Sequence, residues 1–253
     1  SNGMSRFELI ELGAGDGTKT KHLLRSALKS GLEPVYRPVD ISQHILDELG
    51  ASLKEEFPGL RFEGIQGEYF GVFEGEIIQA DVQKCILFLG SNIGNLEIDP
   101  AIELMKKMSG RMSVSDRLLI GFDLKKDPDV IRAAYNDAGG ATRDFNLNLL
   151  HRINRELGGN IDVSKFVHAP VYDPFHGRAL SYLVSTEDQT IRLQGVDEEF
   201  PVRAWEAFHL EISQKYDMQL IGEMAEAAGL EIVEVFTDEQ KLYVDVVFKN
   251  AES

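Results

Sequence analysis

Cysteine is nearly absent: Cys85 is the single one, which excludes an internal disulfide framework and a cysteine-based zinc site and fits a reducing cytoplasm. It lies in the apolar run Cys85-Ile86-Leu87-Phe88-Leu89, where a core thiol is expected rather than a nucleophile. No apolar run is long enough to span a bilayer, and no signal-peptide pattern opens the chain. Positive charge is scarce, with 26 Lys and Arg against 42 Asp and Glu and a formal net charge of −16. That balance repels nucleic-acid phosphates and anionic membrane, both of which demand a basic face, and no cluster of Lys and Arg supplies one. A small-molecule partner is expected, with no nucleic acid and no membrane. None of the six histidines stands at metal-ligand spacing with other His, Asp or Glu, so no metal is expected, and His151, His168 and His176 read as surface or packing residues. Repeats and low-complexity segments are missing too. What remains is a chain of 253 residues, 43% hydrophobic and 27% charged. That is ordinary for a globular protein and enough for one large α/β domain or two small ones.

The stretch Phe7-Glu8-Leu9-Ile10-Glu11-Leu12-Gly13-Ala14-Gly15-Asp16-Gly17-Thr18-Lys19 organises the rest. A short apolar strand breaks into three alternate glycines and restarts as an amphipathic helix through Leu23, Leu24, Ala27 and Leu28. Glycines let the backbone take positive φ and approach a ligand, and the N–H groups of the first helical turn face it. The dinucleotide fingerprint G-x-G-x-x-G is not met, because Thr18 stands where its third glycine belongs. Asp16 inside the turn would repel a pyrophosphate, so a cationic, phosphate-free cofactor fits better. The pattern E-x-G-x-G-x-G resembles the first motif of the class I S-adenosylmethionine (SAM) methyltransferases.

Downstream, Val35 to Asp40 reads as a second strand. Asp40, at its carboxyl end, stands where doubly wound sheets place an acid for a ribose hydroxyl pair, ~20 residues past the glycines. Ser42 caps a helix to Phe57, and Arg61 to Ile65 is a short third strand. Gly67-Glu68-Tyr69-Phe70 follows, where this class often places an acid or aromatic near the adenine. The apolar run from Lys84 to Leu89 predicts a central parallel strand. It ends in Gly90-Ser91-Asn92-Ile93-Gly94-Asn95, which the switch-point rule puts at the crevice. Asp99-Pro100 predicts an N-cap and first turn for a helix to Met112. Arg117 to Phe122 is a fifth strand, Asp127-Pro128 opens a helix through Tyr135, and Ala141 to Leu157 is another. From Val163 to Ser213 short runs of Val, Leu, Tyr and Phe alternate with turn clusters, predicting a small antiparallel β subdomain. A helix from Asp217 to Gly229 and strands at Glu231 to Phe236 and Tyr243 to Phe248 close the chain. The expected fold class is α/β, an open and mostly parallel sheet with helices on both faces.

Further motifs are Leu87 to Asn95, Gly121-Phe122-Asp123-Leu124-Lys125-Lys126-Asp127-Pro128, Ala134-Tyr135-Asn136-Asp137, Phe145-Asn146-Leu147-Asn148-Leu149-Leu150, Arg152-Ile153-Asn154-Arg155-Glu156-Leu157-Gly158 and Glu211-Ile212-Ser213-Gln214-Lys215-Tyr216. With Glu11 to Thr20 and in this order, the set resembles the histidine-specific SAM-dependent methyltransferase family, whose best-known members trimethylate the α-amine of histidine on the way to ergothioneine. The resemblance implies a class I Rossmann-like sheet with the inserted β subdomain. The expected divisions are a SAM-binding core at 1–160, a substrate subdomain at 161–215 and a return to the core at 216–253. It also implies that Gly13, Lys19, Asp40, Gly67 and Glu68 contact the cofactor, with Gly15 shaping the turn. Asn95 and Tyr135 would hold the substrate's amino-acid end, and Glu211 and Ser213 its imidazole. Two positions depart from the family. Ser181 aligns with a methionine that histidine-using members carry near the imidazole. Those members also use a tyrosine from helices ahead of the first strand, whereas here that strand starts a few residues from Ser1; a truncated piece of a longer protein is expected.

The implied reaction is displacement at the sulfonium methyl by a neutral amine, with proximity and alignment as the protein's contribution and no metal required. Two alternatives stay open from the sequence: methylation of another amino acid or small amine, and a non-catalytic SAM-binding protein. A nicotinamide oxidoreductase is disfavoured by the glycine spacing.

Overall fold

A computed structural model describes residues 6–73 and 82–251. In chain order the elements are β1 (Arg6–Leu12), α1 (Thr18–Lys29), β2 (Glu33–Asp40), α2 (Gln43–Glu56), β3 (Arg61–Phe62), β4 (Ile65–Gln66), α3 (Tyr69–Val72), β5 (Lys84–Phe88), a 3-10 turn at Asn92–Asn95, α4 (Ile98–Ser109) and β6 (Arg117–Asp123). Next come α5 (Pro128–Tyr135), α6 (Ala141–Leu157), a 3-10 turn at Val163–Lys165, β7 (Phe166–Asp173), β8 (Arg178–Ser185), β9 (Gln189–Arg192), β10 (Glu199–Val202) and β11 (Ala207–Gln214). Last are α7 (Met218–Ala227), β12 (Leu230–Thr237) and β13 (Tyr243–Asn250). These build two compact units: the chain up to Leu124 together with the stretch from Tyr216, and Lys125–Lys215.

The first unit is one sheet in the order β12-β13-β6-β5-β1-β2-β3, with β4 also pairing β2. Its pairs are parallel except where β13 meets β6 and β12. Strand alternation sends Ile10, Leu12, Ile86, Phe88, Leu118 and Ile120 into one core with Leu104, Met105, Ile221 and Met224 of α4 and α7. Leu9 and Leu87 point the other way, onto Leu24, Leu49 and Leu53 of α1 and α2. The sheet is therefore the mixed, Rossmann-like one that the alternating strand and helix signals predict, with helices on both faces. Cys85 is half-buried, and burial, with the Asp116 charge adding to it, pushes its thiol up to about 11, which suits an inert residue.

Local signals held at most boundaries. The Ser42 hydroxyl accepts the Ile45 N–H (3.3 Å), and the Asp127 carboxylate accepts the Asp129 N–H (2.8 Å) at the start of α5. α4 instead begins at Ile98 with Glu97 as its N-cap, so Asp99 lies inside the first turn, where its charge complements the helix dipole. The third strand is split in two around Glu63-Gly64.

The second unit holds a three-stranded antiparallel sheet, β11-β8-β7, and the β9-β10 hairpin. Leu150 of α6 packs with Ile161, Phe166, Leu183 and Val202 into a core of its own. This unit begins 36 residues before the division expected at 161, because α5 and α6 pack on β7 and β8. Helical periodicity shows that a helix has an apolar face, not which sheet that face covers. No helix among the described residues is long and apolar enough to cross a membrane.

Candidate active site

At the carboxyl ends of the central strands, Gly13 leaves β1 with φ +67° and donates its N–H to Val39 O (2.9 Å). The next residue on β2, Asp40, accepts the Ser42 N–H on its carboxylate (2.9 Å) and the Gly67 N–H on its carbonyl (3.0 Å). Gly13, Asp40 and Gly67 thus lie side by side at the ends of three neighbouring strands. A Cβ on Gly13 would collide with the Tyr69 hydroxyl and reach within 3.0 Å of Asn92 Nδ2, so this position needs glycine for both space and backbone conformation. Tyr69 stacks edge-on against Phe88 at 5.3 Å, and burial followed by the Asp40 charge raises its phenol above the ordinary range. The tyrosine is both core and rim.

Asp16 accepts the Thr18 N–H (3.0 Å), a backbone bond that, foremost, lowers its carboxyl below the usual range. The α1 N-terminus therefore carries its own anion, which leaves no reason for a phosphate to bind there. A glycine cradle, an acid beside it at the end of β2 and a pre-neutralised helix end fit a cationic nucleoside cofactor with a free ribose diol. Lys19 lies beside the cradle rather than in it: a Cβ on Gly90 would come within 2.5 Å of its Nζ, and it lines a cavity of about 540 Å³ with Gly90, Tyr243 and Asp245. Gly15 opens instead toward α2, on a cavity of about 410 Å³ with Ile45, Leu49 and Ser52. Glu68 and Asn95 are exposed, Glu68 at the N-cap of α3 and Asn95 at the end of the 3-10 turn. That turn is anchored by Tyr216, whose buried hydroxyl donates to Ile93 O (3.2 Å).

Glu11, the acid that opens the glycine motif, points away from the cradle. Its carboxylate is buried and accepts the hydroxyls of Thr20 (2.5 Å) and Tyr36, tying β1 to α1 and β2. Burial raises its pKa above the ordinary 4.5, against the opposing bonds from Thr20 and Tyr36 and the Lys19 charge. A raised folded-state pKa means that its contribution to stability is complete below pH 4.5 and is lost as pH rises through the raised value. Glu11→Gln keeps an acceptor and a donor for the two hydroxyls. Its melting temperature should gain on the parent's as pH increases from 4.5 to 8, and a gain of ~1 kcal/mol would be ~2–4 °C. A gap that stays constant across that range would show that Glu11 does not titrate as described.

In the second unit the register of β11 on β8 pairs Glu211 with Ser181 and Ser213 with Ala179. The β8 residues at 179, 181, 183 and 185 are all buried, so this is the inner face of the sheet. A bulge between His209 and Glu211 sets that register; with unbroken one-to-one pairing on from His209, Glu211 would oppose Leu180 and face the other way. Glu211 lines a cavity of about 310 Å³ with Phe145, Asn146 and Arg152 of α6. Ser181 is 1% exposed, and its hydroxyl has no hydrogen-bond partner among the described residues.

Tyr135 ends α5, and its hydroxyl accepts a hydrogen bond from Lys215 Nζ (2.7 Å), which also donates to Ser213 Oγ (2.8 Å). The structure thus groups Tyr135 with Ser213, and Glu211 with Ser181. Lys215 joins the first pair and is the residue that motif reading passed over. Its signal was present, since Glu211, Ser213 and Lys215 recur at period two.

Residues 2–250 match the sequence model of the family described as histidine-specific, SAM-dependent methyltransferase. The chain belongs to this family. It is a SAM-dependent methyltransferase, and its cofactor is SAM. It is similar to the histidine N-alpha-methyltransferases of Mycobacterium tuberculosis (33% identical over 233 residues) and Mycolicibacterium smegmatis (33% over 231), each alignment covering 91% of this chain and 71% of the relative. Its fold is that of a SAM-dependent methyltransferase from Clostridium acetobutylicum, with a TM-score of 0.54 at 12% identity, covering 97% of this chain and 84% of that one.

Proposed function

We propose that this methyltransferase acts on the α-amine of histidine, adding up to three methyl groups, in the cytoplasm. The observation that carries the reading is the inner face of β11, where a half-buried carboxylate (Glu211) and a buried hydroxyl (Ser213) stand two residues apart. An imidazole has two ring nitrogens, one N–H that a carboxylate accepts well and one lone pair that a hydroxyl satisfies. The names of the mycobacterial relatives support the same substrate.

On this reading, residues up to 124 and from 216 hold SAM through Gly13, Asp40, Gly67 and Glu68, with Lys19 beside them and Gly15 shaping the turn. The Lys125–Lys215 unit supplies Tyr135, Ser181, Glu211 and Ser213 to the substrate. SAM supplies a methyl group on a sulfonium, so no metal is needed to generate the electrophile. Asn95 and Tyr135 hold the amino-acid end and Glu211 with Ser213 the ring, so the amine can rotate between methylations while the other anchors stay engaged. Fixing both ends of the substrate converts an encounter into an aligned reaction.

Mass spectrometry of products from protein, SAM and an equimolar amino-acid mixture tests this. Mono-, di- and trimethylated histidine are expected, and no other methylated amino acid. Glu211→Ala should raise KM for histidine by about 10- to 100-fold, the worth of one hydrogen bond to a charged group, with SAM affinity unchanged. Methylation of a different amino acid would overturn the histidine assignment. The Ser181 hydroxyl beside Glu211, without a partner among the described residues, favours that second reading, because a substrate with one more polar group could satisfy it.

A further inference from the structure

Lys215 is 1% exposed, an uncommon burial for a lysine, and it is held at both ends. Its N–H donates to Gly177 O (2.7 Å), and its carbonyl accepts from Gln214 Nε2 (2.8 Å). Gly177 turns with φ +70°, and a Cβ there would come within 3.0 Å of the Lys215 carbonyl, so the β7–β8 hairpin closes tightly on this residue. At the other end Nζ reaches Tyr135 Oη (2.7 Å) and Ser213 Oγ (2.8 Å), and lies 4.9 Å from the centre of the Tyr135 ring.

The chemistry of these contacts has a direction. An ammonium carries three hydrogens and no lone pair, whereas a hydroxyl carries one hydrogen and accepting lone pairs. In both bonds the oxygen must accept, which leaves the hydroxyl hydrogens of Tyr135 and Ser213 to point elsewhere. We propose that Lys215 is a positioning residue that turns the hydroxyl hydrogens of Ser213 and Tyr135 away from its ammonium and toward the substrate, so that the site selects a ring with an acceptor atom facing Ser213 and an N–H facing Glu211. This rests on the histidine reading above and sharpens it. Neutral imidazole meets both demands, whereas a pyrrole or indole ring offers an N–H and no acceptor. Such a ring leaves the Ser213 hydrogen, turned away from the Lys215 ammonium, without an acceptor. Buried groups left unpaired in this way are what lets a polar site reject an analogue that lacks one atom.

The test is the ratio of kcat/KM for histidine to that for pyrrol-3-ylalanine, which replaces the acceptor nitrogen by CH and keeps the N–H. The parent enzyme should prefer histidine by about 100-fold or more, as a site built to bond a polar atom does. Lys215→Met frees Ser213 to turn its hydrogen inward and should shrink the ratio below about tenfold, with SAM binding by calorimetry unchanged. If Lys215 only packs, the variant loses rate on both substrates alike and the ratio stays, which overturns the proposal. Ser213→Ala gives a second route if Lys215→Met does not fold. It should collapse the same ratio, and an unchanged ratio again overturns the proposal. The underlying reading fails differently: a parent that does not methylate histidine, or that is indifferent to Glu211→Ala, removes the substrate itself, whereas loss of this proposal alone leaves histidine turnover and its Glu211 dependence intact.

Discussion

Gly121→Ala should lower the melting temperature by several degrees although the substitution adds a single methyl group. Gly121 lies in β6, opposite Asp245 of β13. A Cβ on it would overlap the Tyr243 hydroxyl, approach Tyr243 Cζ to 2.7 Å and Asp245 Oδ1 to 2.9 Å. The tyrosine lies across the strand at this point and accepts the Gly90 N–H on its hydroxyl (3.2 Å), tying β13 to the end of β5. Displacing the ring costs about 1–3 kcal/mol for overpacking, at ~2–4 °C per kcal/mol for a domain of this size, and loses the bond to Gly90 as well. Melts of Gly121→Ala, Tyr243→Ala and the double variant check the cause. Truncating Tyr243 removes the obstructing ring, so the double variant should be much less destabilised than the sum of the singles. Strict additivity would show that Gly121 is small for some other reason.

Asp40→Ala should weaken SAM binding by about 100-fold or more, because two ribose hydroxyls would each lose a bond to a charged acceptor worth ~1.5–3 kcal/mol. The fold should scarcely change. Asp40 is half-exposed, and the Ser42 N–H it accepts belongs to a helix that keeps its own Ser42 cap. Asp40→Asn should fall between the two, since an amide oxygen still accepts but without charge. Titration calorimetry with SAM reads the affinity, and thermal melting without it reads the fold. An affinity within about threefold of the parent's would remove Asp40 from the cofactor site and leave its part in the β2–α2 turn as its whole role; a loss of ~1 kcal/mol is about fivefold.

Asp40 and Gly121 stand out in the sequence to different degrees. Asp40 could be singled out as a candidate from its distance past the glycines and its place at a strand end, since both are local. Gly121 could be seen only as part of a motif; its reason comes from Tyr243, 122 residues away. Glu11 shows the same limit more sharply. It heads the glycine motif, yet its carboxylate serves Thr20 and Tyr36 rather than a ligand, which no spacing rule reveals.

The sequence by itself determined the order of strands and helices, the glycine turn, the exclusion of a phosphate by Asp16 and the family, because periodicity, caps and motif spacing are properties of neighbouring residues. The tertiary structure decided which face of β11 carries Glu211, through one bulge in its pairing with β8. It also decided that α5 and α6 belong to the inserted unit and that a buried lysine joins Tyr135 to Ser213. Register and burial depend on partners far along the chain, and a slip of one residue in either strand would exchange the two faces of the sheet without altering any local signal.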